Sequence, residues 1–157
     1  MRKVTKKFLN ILSRRNEDAK LVKVQSFAFS GAMPNKCFHN CLEFLKANKD
    51  FDLRSGWLVG EYLGANGTAI IPHYWVYERA TKSDFDITLI DDVQTLEYVL
   101  DMKIHETIDL SSGVVIPVSL KMKDDGTLLA RMGSGRYVSL NEFYHETVYD
   151  LAKLNYE

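Results

Sequence analysis

Two segments, "SGWLVGEYLG" and "TAIIPHYWVYE", constrain this chain most. Both are dense in β-branched and aromatic residues, and Gly64 to Gly67 supply a turn between them. Two such runs joined by a short spacer predict neighbouring antiparallel strands, because a parallel return needs a long crossover. "DFDITLI" predicts the next strand, and together they form a meander. Upstream, "AKLVKVQSFAF" alternates and predicts a short strand, and Gly31 and Pro34 punctuate "SGAMPN" as a turn.

Helical spacing surrounds this β-rich centre. Val4, Phe8, Ile11 and Leu12 predict an amphipathic helix over 3–15. Pro34 suits the first turn of a helix, so "PNKCFHNCLEFLKANKD" predicts a second helix, with Cys37 in its first turn. Phe38, Cys41, Leu42 and Leu45 make its apolar stripe. "TLEYVLDMKI" also has helical period. "KDDGT" predicts a hairpin between two alternating runs, and "RMGSGR" reads as a turn rather than a phosphate cradle, since no P-loop pattern precedes it. Ser139 and Glu142 form a capping box that opens a closing helix, with Phe143, Val148 and Leu151 facing inward. The expected class is α+β, N-terminal helices packed on an antiparallel β-sheet, in a single domain over 1–157.

The formal net charge of −1 favours neither nucleic acid nor an anionic membrane. Locally, Arg2, Lys3, Lys6, Lys7, Arg14, Arg15, Lys20 and Lys23 stand against Glu17 and Asp18. A nucleic-acid or partner patch is one reading of them, and the solvated face of an amphipathic helix is the plainer one. Cys37 and Cys41 are the two cysteines, four apart, which is no disulfide framework. Free thiols fit a reducing cytosol, so a cytoplasmic location is expected. Polar residues interrupt the basic N-terminus before any signal-like apolar run, and no stretch approaches the length of a membrane span.

Thiol chemistry needs a near-ionised cysteine, a base in contact with it and a group that holds the base. A cysteine in a helix's first turn gains the positive end of the helix dipole and unpaired N–H groups, and Cys37 has that placement. Cys41, one turn deeper, reads as core. His73, Trp75 and Tyr77 share one face of a strand, and the bland alternative for His73 is a histidine satisfied within the sheet. Asp86 lies between Phe85 and Ile87 on the next strand, where it can be a cross-strand neighbour of His73 and fix its tautomer. Asp84 takes that place if the register slips by two.

In order, these stretches are a cysteine at a helix N-terminus, "GWLVG", "HYWV" and "DIT". They resemble the transglutaminase-like core of the papain-like cysteine hydrolase superfamily over roughly residues 31–88. The resemblance implies a helix on an antiparallel sheet, with Cys37 as nucleophile, His73 as general base and acid, Asp86 as orienting acid and Trp75 as the aromatic beside the histidine. It departs from the family in having "PNK" where a tryptophan or glycine usually precedes the cysteine, and "DIT" for "DPT". For the oxyanion, Gln25 and Asn35 both lie upstream and can supply a side-chain amide, and the backbone N–H of Cys37 is a further donor.

The expected activity is cysteine-based hydrolysis or acyl transfer on an amide (peptide or isopeptide) or ester. It needs no cofactor, and its substrate is a protein or a small amide. A non-catalytic inhibitor or adaptor on the same fold is the alternative. Cys37, His39, Cys41 and His73 can be counted as a zinc set, but His39 at i+2 points away from the two cysteines on a helix. His105 and His145 read as surface residues.

Overall fold

The computed structural model describes residues 1–14, 16–61, 67–88, 96–104, 118–140 and 142–143. Helix α1 spans Lys3–Leu12 and α2 spans Cys37–Ala47. The strands are β1 (Lys20–Val22), β2 (Val24–Ser26), β3 (Phe51–Glu61), β4 (Thr68–Glu78), β5 (Ser83–Asp86), β6 (Glu97–Leu100), β7 (Leu120–Met122), β8 (Leu128–Arg131) and β9 (Tyr137–Ser139). All nine belong to one sheet, antiparallel throughout except where β2 runs parallel to β5.

The long pair β3–β4 is its spine, in continuous register from Phe51↔Glu78 to Glu61↔Thr68. On one side β3 pairs with β6, and β6 with β1. On the other side β4 pairs with β5, and β5 with β2. Only Lys23 separates β1 from β2, so the path β1-β6-β3-β4-β5-β2 closes into a barrel-like ring.

Strand β4 also forks. Its last residues, 76–78, pair with β5, and its first, 68–70, pair with β7, which leads on to β8 and β9. Between them, from Ile71 to Trp75, no described strand pairs with that side of β4. Pro72 lies in this fork, as a residue without an N–H must if a central strand is to tolerate it.

In-register partners share a face, so the two sides of the ring can be read from the pairing. Trp57, Val59, Ile70 and Val99 turn outward under α1, whose Phe8 and Leu12 are fully buried against them. Phe8 meets Trp57 edge-to-face at 5.5 Å. Arg2, the residue before α1, has no capping side chain of its own. Glu97 of β6 instead accepts from the Arg2 N–H at 2.9 Å and the Thr5 hydroxyl at 2.6 Å. Helix α2 covers the other end of the same face, with Cys41 and Phe44 packed on Val76 and Ile87. The inside of the ring holds Leu58, Trp75, Tyr98 and Leu100, with Val22 and Val24 from the β1–β2 ribbon.

The structure corrects four sequence expectations. Residues 97–100 are strand β6, not helix, because β1 and β3 flank it with ladders on both sides. Tyr98, Val99 and Leu100 are all buried, and a strand covered on both faces reads as continuous apolar sequence rather than alternation. Helix α2 opens at Cys37, so Pro34 belongs to the turn before it. Its buried stripe is Asn40, Cys41 and Phe44, while Phe38 and Leu42 stay exposed. Helix α1 ends at Leu12 rather than residue 15.

The "KDDGT" hairpin joins β7 to β8, and "RMGSGR" is the turn into β9, with Gly135 at φ 86°. One arm of the capping box is present, as the Glu142 N–H donates to the Ser139 hydroxyl at 3.2 Å. Most of the expected closing helix and of the Gly64–Gly67 turn lies outside the described residues, as do His105, His145 and Arg15. Lys3, Lys6, Arg14, Lys20 and Lys23 are exposed, as on a solvated face. No described helix is long and apolar enough to cross a membrane.

Candidate functional site

Cys37 is the first residue of α2, where backbone N–H groups lack helical acceptors. The turn that delivers it is pinned by Asn40, which is fully buried. Its side chain accepts from the Met33 N–H and donates to the Met33 carbonyl, both at 2.9 Å, and it also donates to the Thr88 hydroxyl at 3.0 Å. Asn35, two residues before the cysteine, takes the left-handed conformation (φ 58°) that lets the chain turn into the helix.

The half-buried thiol projects to the β4 fork, where it is hydrogen-bonded to His73 and to the N–H groups of Tyr74 and Phe38. Burial alone would raise its pKa. The His73 hydrogen bond and charge, with the two backbone donors, outweigh burial and lower it from the usual thiol value.

His73 is buried, and its Nε2 lies 2.7 Å from Asp86 Oδ2. That leaves Nδ1 as the nitrogen for the thiol. Burial on its own depresses an imidazole pKa, but hydrogen bonds and charges from Asp86 and Cys37 reverse this and raise His73 to about 9. The arrangement therefore favours a thiolate–imidazolium pair. Asp86 is in turn fully engaged. Oδ2 also accepts from the Tyr98 hydroxyl at 2.7 Å, and Oδ1 from the Thr88 N–H at 2.9 Å. A buried carboxylate without such donors is costly to keep.

The remaining sequence candidates separate from this group. Trp75, fully buried, lies beside His73 with ring planes 24° apart and donates its indole N–H to Asp84 at 2.8 Å. Asp84 also meets Arg54 at 3.9 Å, so it supports the indole and Asp86 holds the imidazole. Gln25 is exposed and opposite Phe85, on the face of β5 turned away from Asp86. Asn35 is exposed with its turn. His39 is exposed, and Cys41 is sealed beneath α2, where burial drives its thiol well above the usual value. Among the described residues no three His, Cys, Asp or Glu side chains are placed to hold a metal ion.

Comparison with protein-family models, curated proteins and solved structures finds no match to this chain.

Sequence reasoning missed Asn40, Thr88 and Tyr98. Asn40 carried one usable signal, a polar residue one turn after the candidate cysteine, beside Cys41 on the buried side of the helix. Tyr98 carried none, since its role depends on the ring bringing β6, paired with β1 and β3, across from β5. Burial, then the Asp86 charge and hydrogen bond, push its phenol well above the usual value, so it remains a donor. Tyr98→Phe removes one of the two side-chain donors on Oδ2 and leaves Asp86 a stronger acceptor for His73. The His73 titration should then move above about 9, by roughly half a pH unit or more, the worth of one hydrogen bond. Imidazole NMR signals followed against pH read this directly, and an unchanged or lowered midpoint contradicts it.

Proposed function

We propose that this protein is a cysteine hydrolase or acyltransferase of transglutaminase-like type, acting on an amide or ester. The observation that carries the proposal is the continuous chain from the Cys37 thiol through His73 to Asp86, with Nε2 held at 2.7 Å. The helix that presents the cysteine against a largely antiparallel sheet, and the order Cys37, His73, Asp86 along the chain, support this reading.

Cys37 thiolate attacks the carbonyl carbon, and the oxyanion that forms is stabilised by N–H groups at the start of α2. His73, protonated at Nδ1, gives that proton to the leaving amine or alcohol as the tetrahedral intermediate collapses to a thioester. Water or an acceptor amine then loses a proton to His73 as it attacks the thioester, which frees the thiolate. Asp86 keeps Nε2–H in place and stabilises the imidazolium throughout. A buried aspartate–histidine pair beside a thiol is costly for a fold to maintain. Groups perturbed by burial together with a specific charge partner cluster at functional sites, which favours the catalytic reading over an inhibitor or adaptor.

The test is alkylation by iodoacetamide at mildly acidic pH. Label should enter Cys37 rapidly, Cys37→Ala should abolish the fast reaction, and Cys41→Ala should leave it largely intact. Slow, equal labelling of both thiols overturns the proposal.

A further inference from the structure

The fork in β4 opens, on its β7 side, into a groove of about 590 Å³. Its floor is apolar, built from Ile71, Pro72, Val118, Met132 and Phe143, and Arg131 lines it. Ile71 leaves 40% of its surface exposed there, high for a large aliphatic side chain within a central strand. Arg131 is exposed, and among the described residues it forms no ion pair. Among the described residues no acidic side chain lines the groove. An apolar trough with one unmatched cation suits an occupant that has an apolar body and a carboxylate.

The groove is in line with the thiol. Pro72 in its floor immediately precedes His73, and the Tyr74 N–H reaches Cys37. Three residues of extended strand, roughly 10 Å, separate Ile71 from Tyr74. A substrate chain with its carbonyl at Cys37 would therefore place a side chain two or three residues away in the groove.

We propose that this groove is the specificity subsite, and that the substrate is a peptide chain with an acidic side chain two or three residues from the reacting carbonyl, held by Arg131. This deepens the thiol reading and rests on it.

The test uses the full chain and two peptidyl chloromethyl ketones, identical except for Glu or Gln two or three residues from the warhead. The readout is the second-order rate of Cys37 modification at low salt. Wild-type protein should react roughly fivefold faster with the Glu probe, the upper range for an exposed ion pair, and the preference should shrink as salt is added. Arg131→Gln should remove the preference and Arg131→Glu should reverse it. Iodoacetamide, which has no group for the groove, should label Cys37 equally in all three proteins. If iodoacetamide labels Cys37 but the Glu-to-Gln ratio is the same in all three proteins, the subsite proposal is overturned and the thiol reading stands. If wild-type Cys37 resists iodoacetamide, the thiol reading itself fails.

Discussion

Asp86→Asn should slow alkylation of Cys37 at mildly acidic pH by roughly tenfold or more, as the thiol pKa rises and the thiolate fraction falls in proportion. Burial of His73 pushes its pKa down, and the hydrogen bonds and charges of Asp86 and Cys37, with the Asp86 hydrogen bond first, turn that into a rise to about 9. Without the carboxylate charge, burial has less to oppose it and the imidazolium is weakened. Cys37 then has less of the cation that, with its backbone donors, lowers its own pKa. The pH dependence gives the sharper readout. In the wild type, turnover of an ester or amide should rise as pH passes the lowered thiol pKa, hold a plateau, and fall through about 9 as Nδ1 loses the proton needed by the leaving group. Alkylation needs only the thiolate, so it should show the acid limb without the alkaline fall. In Asp86→Asn the acid limb should move upward toward an ordinary thiol. A variant whose limb stays in place would show that Asp86 does not set the pair.

Gly56→Ala should have the largest effect on stability, about 3 kcal/mol or more, beyond most single overpacking changes. A Cβ at Gly56 would lie 2.0 Å from the Val99 carbonyl oxygen and 2.6 Å from Trp75 Cη2. The first obstacle is backbone of β6, locked between β1 and β3. The second is a fully buried indole fixed by its bond to Asp84. Neither can yield without opening the ring next to His73, whose Cα partner on β3 is Gly56. The denaturant midpoint should fall with little change in slope. A loss below about 1 kcal/mol, the ordinary scale for a single substitution, would mean that β3 and β6 can slide apart at this point.

The parts of the fold visible in the sequence are those with local causes. The glycine-bounded β-rich runs became β3 and β4, "KDDGT" became a hairpin turn, and Cys37 opens its helix. His73 and Asp86 could be placed on neighbouring strands because a meander sets neighbours by order, but the Val76↔Phe85 register leaves Asp86 diagonal to His73 rather than directly opposite it. What stayed hidden depends on distant partners. The strand β6 is defined by β1 and β3, and the fork in β4 exists only because β5 and β7 pair with opposite halves of one strand. The Asn40–Thr88–Asp86–Tyr98 network joins α2, the end of β5 and β6, and no spacing rule connects those positions.

The β1–β2 ribbon is synthesised before either strand it pairs with. It can dock only after β5 and β6 have left the ribosome, since β1 zips onto Leu100 and β2 onto Asp86. Tyr98 arrives with that same late strand. The slow step in folding is therefore expected to be this long-range closure. Until residue 100 has been made, Asp86 lacks its Tyr98 donor and the ring around His73 stays open. A nascent chain thus carries its cysteine, from residue 37 until residue 100 is made, without the buried, fully buttressed partner that would sharpen it. Reactivity is coupled to completion of the ring.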